Sequence, residues 1–154
     1  MITMEEKKVV LIVEDDDVQA NGIEHGLHHV LATEHDISVK TLRATDPTEA
    51  TRQLDANDVA LIVLDVNLAN NTSGIDFAIE LRKKYPYLPV IVLTQKSGDS
   101  FIEIRDSIAN GASVSKKVAI FNSLFLCLSI TLFTTLSSLN YSIFYQKIQK
   151  RAKI

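Results

Sequence analysis

The chain has a single cysteine, Cys127, among its 154 residues. No internal disulfide can staple the fold, and the apolar setting of that cysteine fits a reducing compartment. Excess positive charge is lacking too. A net charge of -3 and a pI near 5.8 leave no footprint for a phosphate backbone. The one basic cluster, Lys147, Lys150, Arg151 and Lys153, lies at the extreme end, so no nucleic-acid partner is expected. Met1 to Lys8 lead directly into a strand-length apolar run, too short for a signal-peptide core, and the expected location is cytoplasmic. There is no glycine-rich phosphate loop, because Gly22 and Gly26 fall inside a helical pattern rather than at a strand end. No cysteine or carboxylate completes a zinc-like motif around His25, His28, His29 and His35, which read as a polar helix face. No repeat or low-complexity linker interrupts the chain before Gly111.

What is present is a regular alternation of short apolar runs and helical patterns. Val9 to Val13 precedes a helix with Ala20, Ile23, Leu27, Val30 and Leu31 at helical spacing, with Asp16 or Asp17 placed to cap it. Ile37 to Leu42 precedes a helix announced by Asp46-Pro47-Thr48-Glu49: Asp the cap, Pro the first helical residue, Glu closing the capping box. Val59 to Leu64 leads through a polar loop, Asn67 to Ser73, into a helix stopped by Tyr85-Pro86. Val90 to Thr94 leads into a helix ended by Asn110-Gly111. Continuous Val- and Ile-rich runs are strands buried on both faces of a parallel sheet. The expected fold class is therefore α/β, a doubly wound parallel sheet.

In such sheets ligands bind at the carboxyl ends of the strands. Glu14-Asp15-Asp16-Asp17 ends the first apolar run and Asp65 ends the third, so carboxylates remote in sequence can converge. Massed negative charge costs free energy unless a cation answers it, which points to a divalent metal held by oxygen ligands, with Asp65 the reactive member. Taken singly, each residue has a plainer use: the acids after the first strand as helix caps, Asp65 as a loop carboxylate, Thr94 as a strand-end hydroxyl, Lys116 and Lys117 as solvated charges. Their joint order is what points to function.

That order is carried by Val-Leu-Ile-Val-Glu-Asp-Asp at 10 to 16, Leu-Ile-Val-Leu-Asp-Val-Asn-Leu at 61 to 68, Pro-Val-Ile-Val-Leu-Thr at 89 to 94 and Asn-Gly-Ala-Ser at 110 to 113. Over residues 7 to 117 the chain resembles the receiver domain of bacterial response regulators, the flavodoxin-like domain of two-component phosphorelays. The resemblance implies that Asp65 accepts a phosphoryl group from a sensor histidine kinase or phosphotransfer protein. It implies Mg²⁺ on Asp15, Asp65 and the Asn67 backbone carbonyl, with Glu14 acting through water. Thr94 and a lysine, Lys116 by context or Lys117 by distance from Gly111, would take phosphoryl oxygens. The output would be contact with an unidentified downstream protein, and the domain a phosphoacceptor rather than an enzyme. Two rivals stand beside it: a phosphorylation-independent scaffold of the same fold, and an aspartate-nucleophile phosphatase, whose nucleophile would follow the first strand instead.

The chain departs from the family pattern in places. The loop from Asp65 to Gly74 is one residue longer, with Ala69 where proline is usual, which predicts a looser backbone. Gln95 follows Thr94 where a small residue is usual, narrowing access to the phosphoryl site. The lysines come early, so the last strand must be short or reshaped, and Ser113, Val114 and Ser115 offer no aromatic relay. The expected domain is 1–117, followed at 118–154 by an atypical C-terminal helix or oligomerisation tail. From Val118 to Tyr145 that tail carries no charge. Phe121, Leu124, Phe125, Leu128 and Leu132 form one helical stripe, but the opposite side is apolar as well, and such a helix must be buried. A homodimer interface is the expected burial route. The alternatives are a membrane span, which the basic end opposes, and a tail foreign to the domain.

Overall fold

The structure is a computed structural model that describes residues 7–35, 38–94, 99–110 and 118–121. Five strands and four helices alternate along the described residues: β1 (Lys8–Val13), α1 (Asp17–His35), β2 (Val39–Ala44), α2 (Pro47–Ala56), β3 (Val59–Asp65), α3 (Gly74–Lys84), β4 (Val90–Leu93), α4 (Asp99–Asn110) and β5 (Val118–Phe121). All pairings are parallel, in the order β2-β1-β3-β4-β5. This is the doubly wound, flavodoxin-like α/β sheet expected from the apolar runs. β1 is laid down first and flanked on both sides afterwards, so chain direction across the sheet reverses beside it.

The strands are apolar without alternation because both faces are covered. Leu11, Val13, Ile62, Leu64, Val90 and Val92 form one core with Leu54 of α2, Phe77 and Leu81 of α3, and Ile104 and Ile108 of α4. Val10, Ile12, Leu61, Val63, Ile91 and Leu93 point the other way, onto Ile23, Leu27 and Leu31 of α1. Each fully buried Leu or Ile contributes about 2 kcal/mol of transfer free energy, so both faces hold the sheet against its helices.

Helix starts follow local chemistry closely. Asp16, not Asp17, caps α1, its Oδ1 accepting from the Val18 and Gln19 amides at 2.8 and 2.9 Å. Asp46 caps α2 in the same manner, with Pro47 at the first position. The Glu49 carboxylate reaches one residue further back than a capping box requires, accepting from the Thr45 amide at 3.1 Å. β2 begins two residues later than the sequence predicts and runs on to Ala44. As an edge strand it accommodates Arg43, which spans to Glu24 and Asn21 of α1. The boundary expected after Lys117 falls immediately before β5, and Phe121 lies in a strand rather than on a helical stripe. Positions 122–154, with the rest of that stripe, are outside the described residues.

Candidate functional site

Register brings the carboxyl ends of the central strands level. Val13 of β1 pairs with Leu64 of β3, and Asp65 pairs with Leu93 of β4. The chain leaves β1 through Glu14, whose amide donates to Ala44 O at 3.0 Å, and β3 through Val66, whose amide donates to Leu93 O at 3.0 Å. Glu14, Asp15 and Asp65 thus meet at the crevice where the winding reverses, with a carboxylate oxygen of each within 4.8 Å of the others. Among the described residues no other group of His, Cys, Asp and Glu is so arranged. The histidines His25, His28 and His29 are exposed on α1, as a polar face should be.

The three acids differ in setting. Glu14 is only 5% exposed, and its Oε1 accepts from the Asp16 amide at 3.2 Å. Burial pushes its carboxyl up to about 7, with the charges of Asp65, Asp15 and Asp16 adding to the shift and the Asp16 amide opposing it. Asp65 is half-buried, and burial raises its pKa as well, with the charge of Asp15 adding to the shift, against hydrogen bonds from the Asn67 and Val66 amides. Asp15 is exposed at the mouth. Three hard oxygen donors in repulsion, one of them pushed toward neutrality, form a set that a small divalent cation fits.

The loop after Asp65 is closed, not loose. Asn67 donates its amide to Asp65 Oδ2 at 3.1 Å and forms an antiparallel bridge with Ser73. Val66 and Leu68 are buried in the core on either side of it. Gly74, for which the sequence offered only a place in a spacing, proves decisive locally. A Cβ there would lie 2.0 Å from Asp65 O and 2.9 Å from Val66 Cα, so only glycine lets α3 begin against the end of β3.

Thr94 directly follows β4, buried, one residue beyond the register partner of Asp65. Lys116, Lys117 and Gln95 lie outside the described residues. β5, which follows the lysines, opens level with Val90 and closes level with Leu93, so it is the Phe121 end of this strand that meets the Asp65 edge. The expectation of a site lysine at 116 or 117 falls outside the described residues. A cavity of about 530 Å³ lined by Leu54, Val59, Tyr85 and Pro89 sits at the opposite, amino-terminal edge and has no part in the acidic pocket.

A parallel five-stranded sheet with carboxylates gathered at its switch point defines a flavodoxin-like α/β protein of receiver type. The family model for the response regulator receiver domain matches residues 10–120. The chain belongs to the response regulator receiver domain family, a class consistent with two-component signalling whose members are generally phosphoacceptors. Solved structures agree on the fold. Chemotaxis protein CheY4 of Vibrio cholerae is 21% identical with a TM-score of 0.63, over 86% of this chain and 98% of that one. A CheY-like receiver domain protein from Methanospirillum hungatei is 16% identical with a TM-score of 0.66, over 89% and 99%. The signal receiver domain of a histidine kinase from Syntrophus aciditrophicus is 25% identical with a TM-score of 0.63, over 88% and 92%. Among curated proteins, none matches the sequence.

Proposed function

We propose that this domain is the phosphoacceptor of a two-component phosphorelay, taking a phosphoryl group from a histidine kinase or phosphotransfer protein onto Asp65. The observation that carries the reading is the meeting of the Glu14, Asp15 and Asp65 carboxylates within 4.8 Å at the switch point. Asp15, Asp65 and the Asn67 main-chain carbonyl would hold Mg²⁺, with Glu14 acting through water. Bound there, Mg²⁺ supplies the positive charge that lets a carboxylate approach an anionic phosphoryl group. A carboxylate oxygen of Asp65 forms the new bond to phosphorus as the phosphorus–nitrogen bond of the donor phosphohistidine breaks, and the imidazole leaves with the electron pair and takes up a proton. The Thr94 hydroxyl, buried at the same edge, is assigned to a phosphoryl oxygen. Lys116, or Lys117 in its place, is assigned to another phosphoryl oxygen.

Output through protein contacts, a cytoplasmic setting and pairing of two copies through 118–154 complete the reading. The apolar composition of that segment supports the pairing, and a monomeric full chain in light scattering would remove it. Among the described residues, no helix is long and apolar enough to cross a membrane. The central test is incubation with acetyl phosphate and Mg²⁺: one phosphoryl group is expected by intact-mass spectrometry, and none in Asp65→Asn. Equal labelling of that variant would overturn the assignment.

A further inference from the structure

Asn70 and Asn71, at the tip of the loop between β3 and α3, have φ of 59° and 55°. The Leu68 amide donates to Thr72 O at 3.3 Å and the Thr72 amide to Ala69 O at 3.2 Å. Two successive left-handed residues inside such a hydrogen-bonded turn are the signature of type I′, whose twist suits a two-stranded ribbon. Below the turn, the Leu68 to Thr72 bond and the isolated Asn67–Ser73 bridge join the two sides of the loop, offset by one position at Ala69. Both asparagines are exposed, so tolerance of left-handed backbone by the residue type, rather than packing, keeps the turn in place. The extra residue of this loop is therefore spent on a miniature hairpin.

The base of the hairpin is bound to the acidic pocket at three points. The Gly74 amide donates to Val66 O at 2.9 Å, Gly74 lies against Asp65 O with no room for a Cβ, and the Asn67 amide holds Asp65 Oδ2 at 3.1 Å. Opening the tip would release the bridge, and with it the amide that orients the Asp65 carboxylate.

We propose that the Asn70–Asn71 turn is a positioning element for the cation site, setting the Asp65 carboxylate and the Asn67 main chain through the closed hairpin. This rests on the metal role assigned above to Asp65 and Asn67. Valine, β-branched, resists left-handed backbone, whereas glycine adopts it freely. The test uses the full chain carrying Asn70→Val, Asn71→Val, Asn70→Gly or Asn71→Gly. Mg²⁺ affinity is measured by calorimetry, thermal midpoint by circular dichroism, and metal-free amide exchange by NMR.

Each valine variant is expected to bind Mg²⁺ about tenfold more weakly, the scale of losing a group that orients a ligand. Protection at Leu68, Thr72 and Gly74 should fall with it. Each glycine variant should stay within about twofold of the parent, since glycine preserves the turn. Parent-like affinity in both valine variants would overturn the proposal, as would equal weakening by glycine. If a valine variant does not fold, Asn70→Ala and Asn71→Ala carry the same expected order with a smaller loss. A parent that binds no Mg²⁺ overturns the proposed function instead. Exchange then decides the turn on its own: protection lost with valine and kept with glycine supports control of the Asp65 surroundings, and unchanged protection ends it.

Discussion

The acids Glu14, Asp15, Asp16 and Asp17 carry the same charge and do different work. Glu14 turns inward and is buried, Asp15 stays at the mouth, Asp16 caps α1, and Asp17 lies in its first turn. The buried member makes stability depend on pH. Its carboxyl ionises near its ordinary 4.5 in the unfolded chain and at about 7 in the folded one. As pH rises through this window the unfolded chain gives up the proton first, so stability is full below 4.5 and falls until about 7, by on the order of 3 kcal/mol. Asp65, also raised, acts in the same direction. Urea midpoints measured with chelator from pH 4.5 to 7.5 should decline, and Glu14→Gln should flatten most of that slope. Gly74→Ala belongs to this scale too. Its Cβ meets main-chain atoms that cannot swing aside, and a loss of at least about 2 kcal/mol in denaturant unfolding is expected.

Elements differ in how openly their residues announce them. The start of α2 was readable, because Asp46 and Pro47 act on the nearest backbone groups, although Glu49 reaches the Thr45 amide rather than that of the cap. Replacing Asp46 by alanine removes both capping bonds and should lower stability by about 1 kcal/mol in thermal unfolding. α1 was readable from Ala20, Ile23, Leu27 and Leu31, all buried, although two glycines interrupt it. Nothing lies within 4 Å of a Cβ built at Gly22 or Gly26. Alanine at either is therefore expected to raise stability by about 0.5–1 kcal/mol, seen as a higher thermal midpoint. β2 was displaced by two residues because its edge position lets Arg43 stand within a strand, its charge met by Glu24 across the gap to α1. No local pattern in the run itself reveals that partner. The closed hairpin was misjudged for a related reason: Asn70-Asn71 signals a turn, but its left-handed geometry becomes legible only beside the pairing of Asn67 with Ser73.

Across the whole molecule, the pocket exists because β1 is flanked by β2 on one side and β3 on the other. β4 stays interior only while β5 is present, since Val90 to Leu93 are all buried and hydrogen-bonded along β5. A chain stopped at Lys117 would bare that strand edge, and loss of a single cooperative urea transition, with association in light scattering, is expected. The sequence by itself determined the alternation of elements, the buried strands, the helix caps and the acids after the first and third strands, since these follow from apolar period and from side chains acting on neighbouring backbone. Tertiary structure alone decided which acid turns inward, why residue 74 must be glycine, how the longer loop closes, and which end of the last strand meets the site. Each of those depends on where another segment lies in space, and strand register, absent from any local run of residues, sets that distance.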